Sequence, residues 1–242
     1  VMVFGATSTT DDLDGELTPT DGPPPSRSAV EGALGSLRGV IAQTPPIYSA
    51  VRIGGRHAYD LARHGETPEL KSRTVTIHAL DVVEWDEVDP ERPAATVELR
   101  CSAGTYVRAI ARDAGAALGT GAYLGALVRT ASGPFRRAEA HGLEEVRGRL
   151  SAGPITELLL PADSGLDAYP EVRVDAEGLA GLSRGQVVRL RGETLPKPGP
   201  SDLVRVLAPD GRLAAMARID AGRLHPEKVF LDPPAATGTP AA

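Results

Sequence analysis

Aromatic and basic side chains alternate along residues 43–65 in a pattern suited to binding nucleic acid. Tyr48 and Tyr59 are interleaved with Arg52, Arg56 and Arg63, so rings and guanidinium groups occur side by side. Guanidinium groups bind phosphates, and aromatic rings offer faces on which bases stack. The same spacing fits an amphipathic helix whose charged face is solvated. Taken alone, the segment favours that structural interpretation.

A second candidate site lies where a predicted strand gives way to a predicted helix. The strand ends at Cys101, Gly104 predicts a turn, and Tyr106 and Arg108 follow in the first turn of the helix. Such junctions are rigid, and an arginine placed there can pair with a carboxylate and hold it ionised. Ordinary helix capping explains the same residues equally well on chemical grounds.

Other kinds of catalytic site lack their sequence signatures. Gly119, Gly121 and Gly125 are spaced one residue too widely for a dinucleotide-binding fingerprint, and they follow a helix instead of a strand. The sequence contains no G-x-S-x-G nucleophile elbow, and its five histidines form no H-x-x-x-H pair. Its single cysteine excludes a disulfide framework and a multi-thiolate metal site. We therefore expect neither a cofactor nor a metal.

The charge distribution is uneven. The formal net charge of −6 argues against a generally basic surface. Residues 100–149, however, carry eight arginines against four acids, whereas residues 81–91 hold six acids and no base. No apolar run approaches the roughly 18 residues that span a bilayer, so we expect a cytoplasmic protein that does not contact membranes.

Periodicity and turn residues predict the elements that position these side chains. Ser28-Ala-Val-Glu31 predicts the start of a helix that stops near Gly39, and Gly65 ends a short helix that begins at Arg56. Strands are predicted over 74–84 and 95–101, and a helix over 105–118. Short β-like segments separated by turn residues indicate a small barrel-like β domain, and they cover residues 171–174, 187–191, 203–207, 213–218 and 228–231.

Four motifs occur in order along the chain: Gly5–Gly15, Gln43-Thr-Pro-Pro-Ile-Tyr-Ser-Ala50, Tyr59-x-x-Ala-Arg-x-Gly65 and Gly104-Thr-Tyr-Val-Arg108. Together they resemble the TruB-type family of bacterial tRNA pseudouridine-55 synthases. The similarity covers essentially the whole chain, and the last third resembles the PUA-like RNA-binding domain of that family.

The resemblance implies an enzyme that flips one uridine out of the tRNA T loop and rejoins the base to its sugar through carbon. The family uses an aspartate nucleophile and no cofactor or metal. Tyr106 matches its active-site tyrosine, and Arg108 matches the arginine that pairs with the catalytic aspartate. Asp12 and Arg63 are expected to join Arg108 in an arginine–carboxylate network. The expected substrate-binding residues are Asp12, Tyr48, Arg52, Arg63, Leu127 in an apolar pocket and Arg129 at the RNA backbone.

The sequence departs from the family pattern at the nucleophile. It contains no motif like G-x-L-D-P-x-A-T-G, and Leu13-Asp14-Gly15 matches only superficially because it lies in the downstream segment. We therefore expect that an N-terminal segment is missing ahead of Val1, together with the catalytic aspartate and a base-stacking tyrosine. These 242 residues alone are expected to be inactive.

The resulting hypothesis is an α+β protein with two domains. A truncated pseudouridine synthase catalytic domain on a mixed sheet is expected over residues 1–164, a PUA-like domain over 165–234 and a disordered tail over 235–242. The expected partner is the T arm of tRNA, and the expected state is a monomer. The alternative is a non-catalytic tRNA-binding or tRNA-folding module that uses the same basic residues. A small-molecule enzyme is a third possibility, but no motif favours it.

Overall fold

The computed structural model describes residues 1–190 and 202–231. Its internal contacts divide the chain into two units, Val1–Val128 and Arg129–Ala242. The predicted domain boundary at 164/165 lies inside the second unit, and the predicted tail at 235–242 lies outside the described residues.

The first unit alternates short and long strands with three helices. Its strands are β1 (Met2–Phe4), β2 (Ala6–Ser8), β3 (Leu17–Pro19), β4 (Gly39–Gln43), β5 (Arg52–Ile53), β6 (Arg56–His57), β7 (Arg73–Asp86), β8 (Ala94–Cys101) and β9 (Ala122–Leu124). Its helices are α1 (Arg27–Ser36), α2 (Ala58–Arg63) and α3 (Val107–Leu118).

The main sheet of this unit has the strand order β4-β7-β8-β1-β9, and its strand pairs are antiparallel. A single parallel bridge joins Asp12 to Leu124 at the β9 side. Helices α1 and α3 pack against each other, α1 also against β7, and α3 also against β9 and β1. The core between these elements is apolar, and its fully buried side chains include Met2, Phe4, Leu34, Leu80 and Ile110.

Small residues let α3 approach the sheet closely. Ala109, Ala111 and Ala114 are buried together with Ile110 in this helix. A side chain at Gly115 would overlap the backbone at Gly121 and Ala122, so glycine is required there. Because α3 is fixed against β9 in this way, the position of its first turn is fixed as well.

Several predicted boundaries differ from the structure, among them the last predicted strand, expected over 228–231 and found over Arg223–Val229. Helix α1 begins two residues earlier than predicted, because the Ser26 side chain accepts a hydrogen bond from the Ala29 N–H and so provides the cap expected of Ser28. The predicted helix from Arg56 begins only at Ala58, since Arg56 and His57 pair with β5 in a hairpin. Strand β7 continues to Asp86, so the acidic segment is partly strand and not wholly a connection.

The second unit contains a five-stranded mixed sheet with the order β12-β14-β15-β16-β13, in which only the β12–β14 pair is parallel among the described strands. The α+β class and the small β domain are therefore confirmed. The elements are β10 (Ala131–Ser132), β11 (Phe135–Arg136), α4 (Leu143–Ala152), β12 (Glu171–Arg173), α5 (Ala176–Ser183), β13 (Val188–Arg189), β14 (Leu203–Leu207), β15 (Leu213–Asp220) and β16 (Arg223–Val229). Helices α4 and α5 were not predicted from the sequence.

Candidate active site

Tyr106 and Arg108 lie at the start of α3, as the sequence predicts. Strand β8 ends at Cys101, and Gly104 turns the chain with a φ of +82°, which a residue with a side chain adopts at a cost. Tyr106 is the residue just before α3, and Arg108 is in its first turn. Both side chains are half-buried.

Arg108 connects α3 to two loops that are distant in sequence. Its guanidinium donates to the Asp12 carboxylate and to the Thr10 carbonyl, each at 3.0 Å, in the loop of residues 9–16. The other terminal nitrogen donates to the Tyr48 carbonyl at 2.9 Å, in the loop of residues 44–51. The predicted pairing of Asp12 with Arg108 is thus present in the structure, and Tyr48 lies at the same place.

Both oxygens of the Asp12 carboxylate have hydrogen-bond partners. One oxygen accepts from Arg108, and the other accepts from the Thr10 hydroxyl and from the Asp14 N–H. The Asp12 side chain is 22% exposed and that of Arg108 is 26% exposed. Because both oxygens are already occupied by donors, the geometry favours a structural or positioning role for Asp12. The Asp14 side chain, in contrast, is exposed.

A second ion pair lies one helical turn further along α3. Arg112 donates to the Asp11 carboxylate at 3.1 Å, to Asp113 and to the Thr44 carbonyl. Asp11 has a φ of +62°. Burial raises the pKa of the Asp11 carboxyl, and the nearby Arg112 and Arg108 offset that effect only in part. This pair was not predicted from the sequence, although arginines four residues apart on a helix share a face.

Two residues that sequence analysis left without a role contact Tyr106. The Gln43 side-chain amide donates to the Tyr106 carbonyl at 3.2 Å and accepts from the Tyr106 N–H at 2.8 Å. The Arg73 guanidinium lies over the Tyr106 ring, 4.8 Å from its centroid. The sequence feature that could have drawn attention to Gln43 is a polar residue after the apolar residues of 40–42 and just before Thr44-Pro-Pro, although this feature does not reveal its partner.

The basic and aromatic residues of 52–63 form a separate small cluster. Tyr59 stacks on His57 with ring centroids 5.2 Å apart, and the Arg63 guanidinium lies 5.6 Å from the Tyr59 centroid. Arg52 is exposed on β5. Arg63 is exposed at the end of α2, and in the described structure it forms no ion pair with Asp12. The predicted network therefore includes Arg108 and Asp12, whereas Arg63 contacts an aromatic ring instead.

Leu127 and Arg129 are exposed. Leu127 follows β9 and its side chain is 58% exposed, so the structure does not show it lining an apolar pocket. Arg129 is the first residue of the second unit. In the described part of the chain, no group of histidine, cysteine or acidic residues is arranged to hold a metal. No helix there is both long and apolar enough to cross a membrane.

Comparison with known proteins gives consistent matches along the chain. Residues 1–107 match the family model of the TruB family pseudouridylate synthase N-terminal domain, and residues 108–167 match that of the tRNA pseudouridylate synthase B C-terminal domain. The tRNA pseudouridine synthase B of Bradyrhizobium diazoefficiens is 40% identical over 95% of this chain and 66% of its own length. That of a Nostoc species is 39% identical over 94% of this chain and 75% of its own length.

Solved structures show the same fold at lower identity. The crystal structure of a Cbf5-Nop10-Gar1 complex contains a chain that is 19% identical, with a TM-score of 0.60 over 96% of this chain and 66% of that one. The chain spans 62–66% of the length of three curated relatives. Because two family models match in succession and because curated relatives are about 40% identical along nearly all of it, the chain belongs to the TruB family of pseudouridylate synthases.

Proposed function

We propose that this chain supplies residues for the isomerisation of a uridine in the T loop of tRNA, at position 55, to pseudouridine. The observation that carries the proposal is the placement of Arg108, which is held between two loops by Asp12, Thr10 and Tyr48 with Tyr106 two residues away. Family membership supports the reaction class.

In the net reaction one bond breaks and one bond forms at the same sugar carbon, and any bond from the nucleophile to that carbon forms and breaks again along the way. The uridine leaves the base stack, the bond between N1 and C1′ breaks, and the base turns so that C5 faces C1′. A C5–C1′ bond then forms, C5 loses its proton and N1 gains one. Tyr106 is the group proposed to move the proton from C5, because a positioned phenol can act as a general acid or base.

The proposed nucleophile is an aspartate that is not in this sequence. Arg108 would hold that carboxylate ionised, as charge-assisted hydrogen bonds do. Asp12 is the carboxylate that Arg108 contacts in the described structure, but its oxygens are occupied by Arg108, Thr10 and Asp14. We therefore assign Asp12 to orienting Arg108 and not to attack on the sugar.

RNA contacts are proposed for the remaining predicted residues. Tyr48, Arg52 and Arg63 lie in the 44–63 region, where the Tyr59 ring contacts both His57 and Arg63. Leu127 would contact the flipped base and Arg129 the RNA backbone. Residues 165–234 are proposed to act as a PUA-like RNA-binding domain.

A tritium-release assay on T-arm RNA carrying [5-³H]uridine tests the proposal. The chain is assayed as it is and with the N-terminal segment of a TruB relative, containing its L-D-P motif, fused ahead of Val1. We expect release only from the fusion. Release by the unfused chain would make Asp12 or Asp14 the nucleophile, contradicting our assignment.

The alternative function, a tRNA-binding or tRNA-folding module, is tested in the same experiment. A fusion that binds the RNA tightly but releases no tritium would favour that alternative. Filter binding across a salt titration measures the affinity, and Arg38→Ala provides a matched control because Arg38 pairs with Asp81 on the surface of β7.

A further inference from the structure

Tyr106 is held from two adjacent strand ends. Gln43 is the last residue of β4 and Arg73 is the first of β7, and these two residues lie opposite each other in the antiparallel ladder. Their side chains both reach Tyr106, one at its backbone and the other at its ring. The β4–β7 ladder therefore fixes the spacing between the two contacts.

The Gln43 side-chain amide complements the backbone of Tyr106. Gln43 is fully buried, its side-chain N–H donates to the Tyr106 carbonyl, and its side-chain oxygen accepts from the Tyr106 N–H. No side-chain hydrogen bond from Tyr106 itself caps the first turn of α3. A glutamate could accept but not donate in its ionised form, and an apolar side chain could do neither. Gln43 thus determines where the residue ahead of α3 lies.

Arg73 contributes through its contact with the ring. Arg108 and Arg112 each bind a carboxylate, whereas none of the described ion pairs involves Arg73. One of its terminal nitrogens is buried without a hydrogen-bond partner. Burying part of a guanidinium that has no carboxylate partner costs desolvation free energy, and another contact must offset that cost. The face of the Tyr106 ring is the contact that the structure provides, and such stacking is favourable.

We propose that Gln43 and Arg73 are positioning residues for Tyr106. Gln43 fixes the backbone and Arg73 fixes the orientation of the ring, so that the hydroxyl is presented in one direction. The role of that hydroxyl at the flipped uracil rests on the proposed function. The positioning of Tyr106 by Gln43 and Arg73 does not depend on it.

Fluorine NMR of the full chain labelled with 3-fluorotyrosine tests directly whether Gln43 and Arg73 position the Tyr106 ring. The chain has five tyrosines, and Tyr106→Phe assigns the signal of interest. Arg73→Lys and Gln43→Met should each shift or broaden the Tyr106 signal by more than its linewidth. The signal of Tyr123, which is buried in β9, should stay in place.

Arg100→Lys is the matched control, because Arg100 is an exposed arginine on β8. An unchanged Tyr106 signal in Arg73→Lys would overturn the role of Arg73. If Gln43→Met does not fold, Gln43→Glu replaces it, and an unchanged Tyr106 signal in the folded variant would overturn the role of Gln43. An equal movement of the Tyr123 signal would show a general structural effect and would also overturn the proposal.

A binding readout separates this proposal from the proposed function. T-arm RNA carries 2-aminopurine beside the target uridine, and its fluorescence rises when the neighbouring base leaves the stack. We expect Arg73→Lys in the fusion protein to reduce the rise at saturating protein, while the affinity stays close to that of the unsubstituted fusion protein. No rise with the unsubstituted fusion protein, together with the expected NMR result, would count against the proposed function and leave the positioning of Tyr106 supported.

Discussion

Arg108 and Asp12 are 96 residues apart in sequence, and their side chains form an ion pair of 3.0 Å at the start of α3. One turn later Arg112 binds Asp11, so two successive aspartates are held by two arginines on one face of the helix. The loop of residues 9–16 is therefore fixed to α3 at two adjacent points. Because Arg108 also binds the Tyr48 carbonyl, removal of its side chain affects three segments at once.

Arg108→Met should lower the free energy of unfolding by about 1–3 kcal/mol, because Asp12 and two carbonyls lose a charged donor in a partly buried place. Urea denaturation measures the change. Arg27→Met is the control, since Arg27 pairs with Glu31 on the exposed surface of α1 and should change stability by less than about 0.5 kcal/mol.

In the fusion protein, Arg108→Met should nearly abolish tritium release while tRNA still binds. Near-normal single-turnover rates would refute the role of Arg108.

Tyr106→Phe should slow catalysis by the fusion protein far more than it weakens RNA binding. In the described structure the Tyr106 hydroxyl has no hydrogen bond, so its removal leaves the contacts with Gln43 and Arg73 in place. Single-turnover rates and filter binding measure the two effects. Tyr169→Phe, in the second unit, is the control. Equal rates for phenylalanine and tyrosine would show that only the ring matters.

Asp11 should make stability depend on pH. Since burial raises its pKa above the ordinary 3.8, the folded state binds its proton more tightly than the unfolded state does. Its contribution to stability is then most favourable at low pH and is lost as the pH rises through the folded-state pKa. Relative to Asp11→Asn, the unsubstituted chain should gain stability as the pH falls from about 7 toward about 4.

Urea denaturation of both chains at each pH measures that difference. Asparagine suits the control because it tolerates the positive φ of +62° at this position. A constant difference between the two chains across this range would show that Asp11 titrates normally.

Gly115→Ala should destabilise the first unit by about 1–3 kcal/mol, because the new methyl group overlaps the backbone at Gly121 and Ala122. Gly148→Ala is the matched control in α4, where a side chain would meet nothing within 4 Å. It should be neutral or stabilising, by up to about 1 kcal/mol, since alanine favours helix more than glycine does. Thermal unfolding compares the two, and equal effects would exclude the close approach of α3 to β9.

Arg52→Ala and Arg63→Ala should each weaken T-arm binding and reduce the slope of log K against log salt by about one, if each guanidinium neutralises one phosphate. Arg38→Ala should leave the slope unchanged, because Arg38 is paired with Asp81. A slope that does not change in either exposed-arginine variant would place the RNA elsewhere on the protein.

The sequence predicted the elements that have strong local signals. Helix α3 and strand β8 were expected within two residues of their bounds, because apolar periodicity and β-branched residues mark them clearly. Helix α5 was missed because Gly178 and Gly181 weaken its helical signal. In the structure both glycines let the helix pack against Val188, which no local pattern reveals.

In the candidate site, too, residues with a local sequence signal were predicted and residues that depend on tertiary contacts were not. Tyr106 and Arg108 were singled out because they follow a turn at a helix start, and the family resemblance supplied their expected roles. Gln43 was not assigned, since its hydrogen bonds join residues 63 apart in sequence. The ring contact of Arg73 depends on the β4–β7 register, and a polar residue at a strand end carries no sign of its tertiary partner.

The position of β1 in the sheet has a consequence for synthesis on the ribosome. Residues 2–3 pair with residues 94–95 on one side, and residues 2–4 pair with residues 122–124 on the other. The ribosome therefore makes both neighbouring strands about 90 or more residues after β1. At about 5–20 residues per second, the strand waits several seconds for them. During that time Met2 and Phe4, which are buried in the finished sheet, are exposed on the nascent chain. Completion of the main sheet of the first unit is thus a late, non-local folding step. Chaperones that bind short apolar segments would have time to bind residues 2–4 before it occurs.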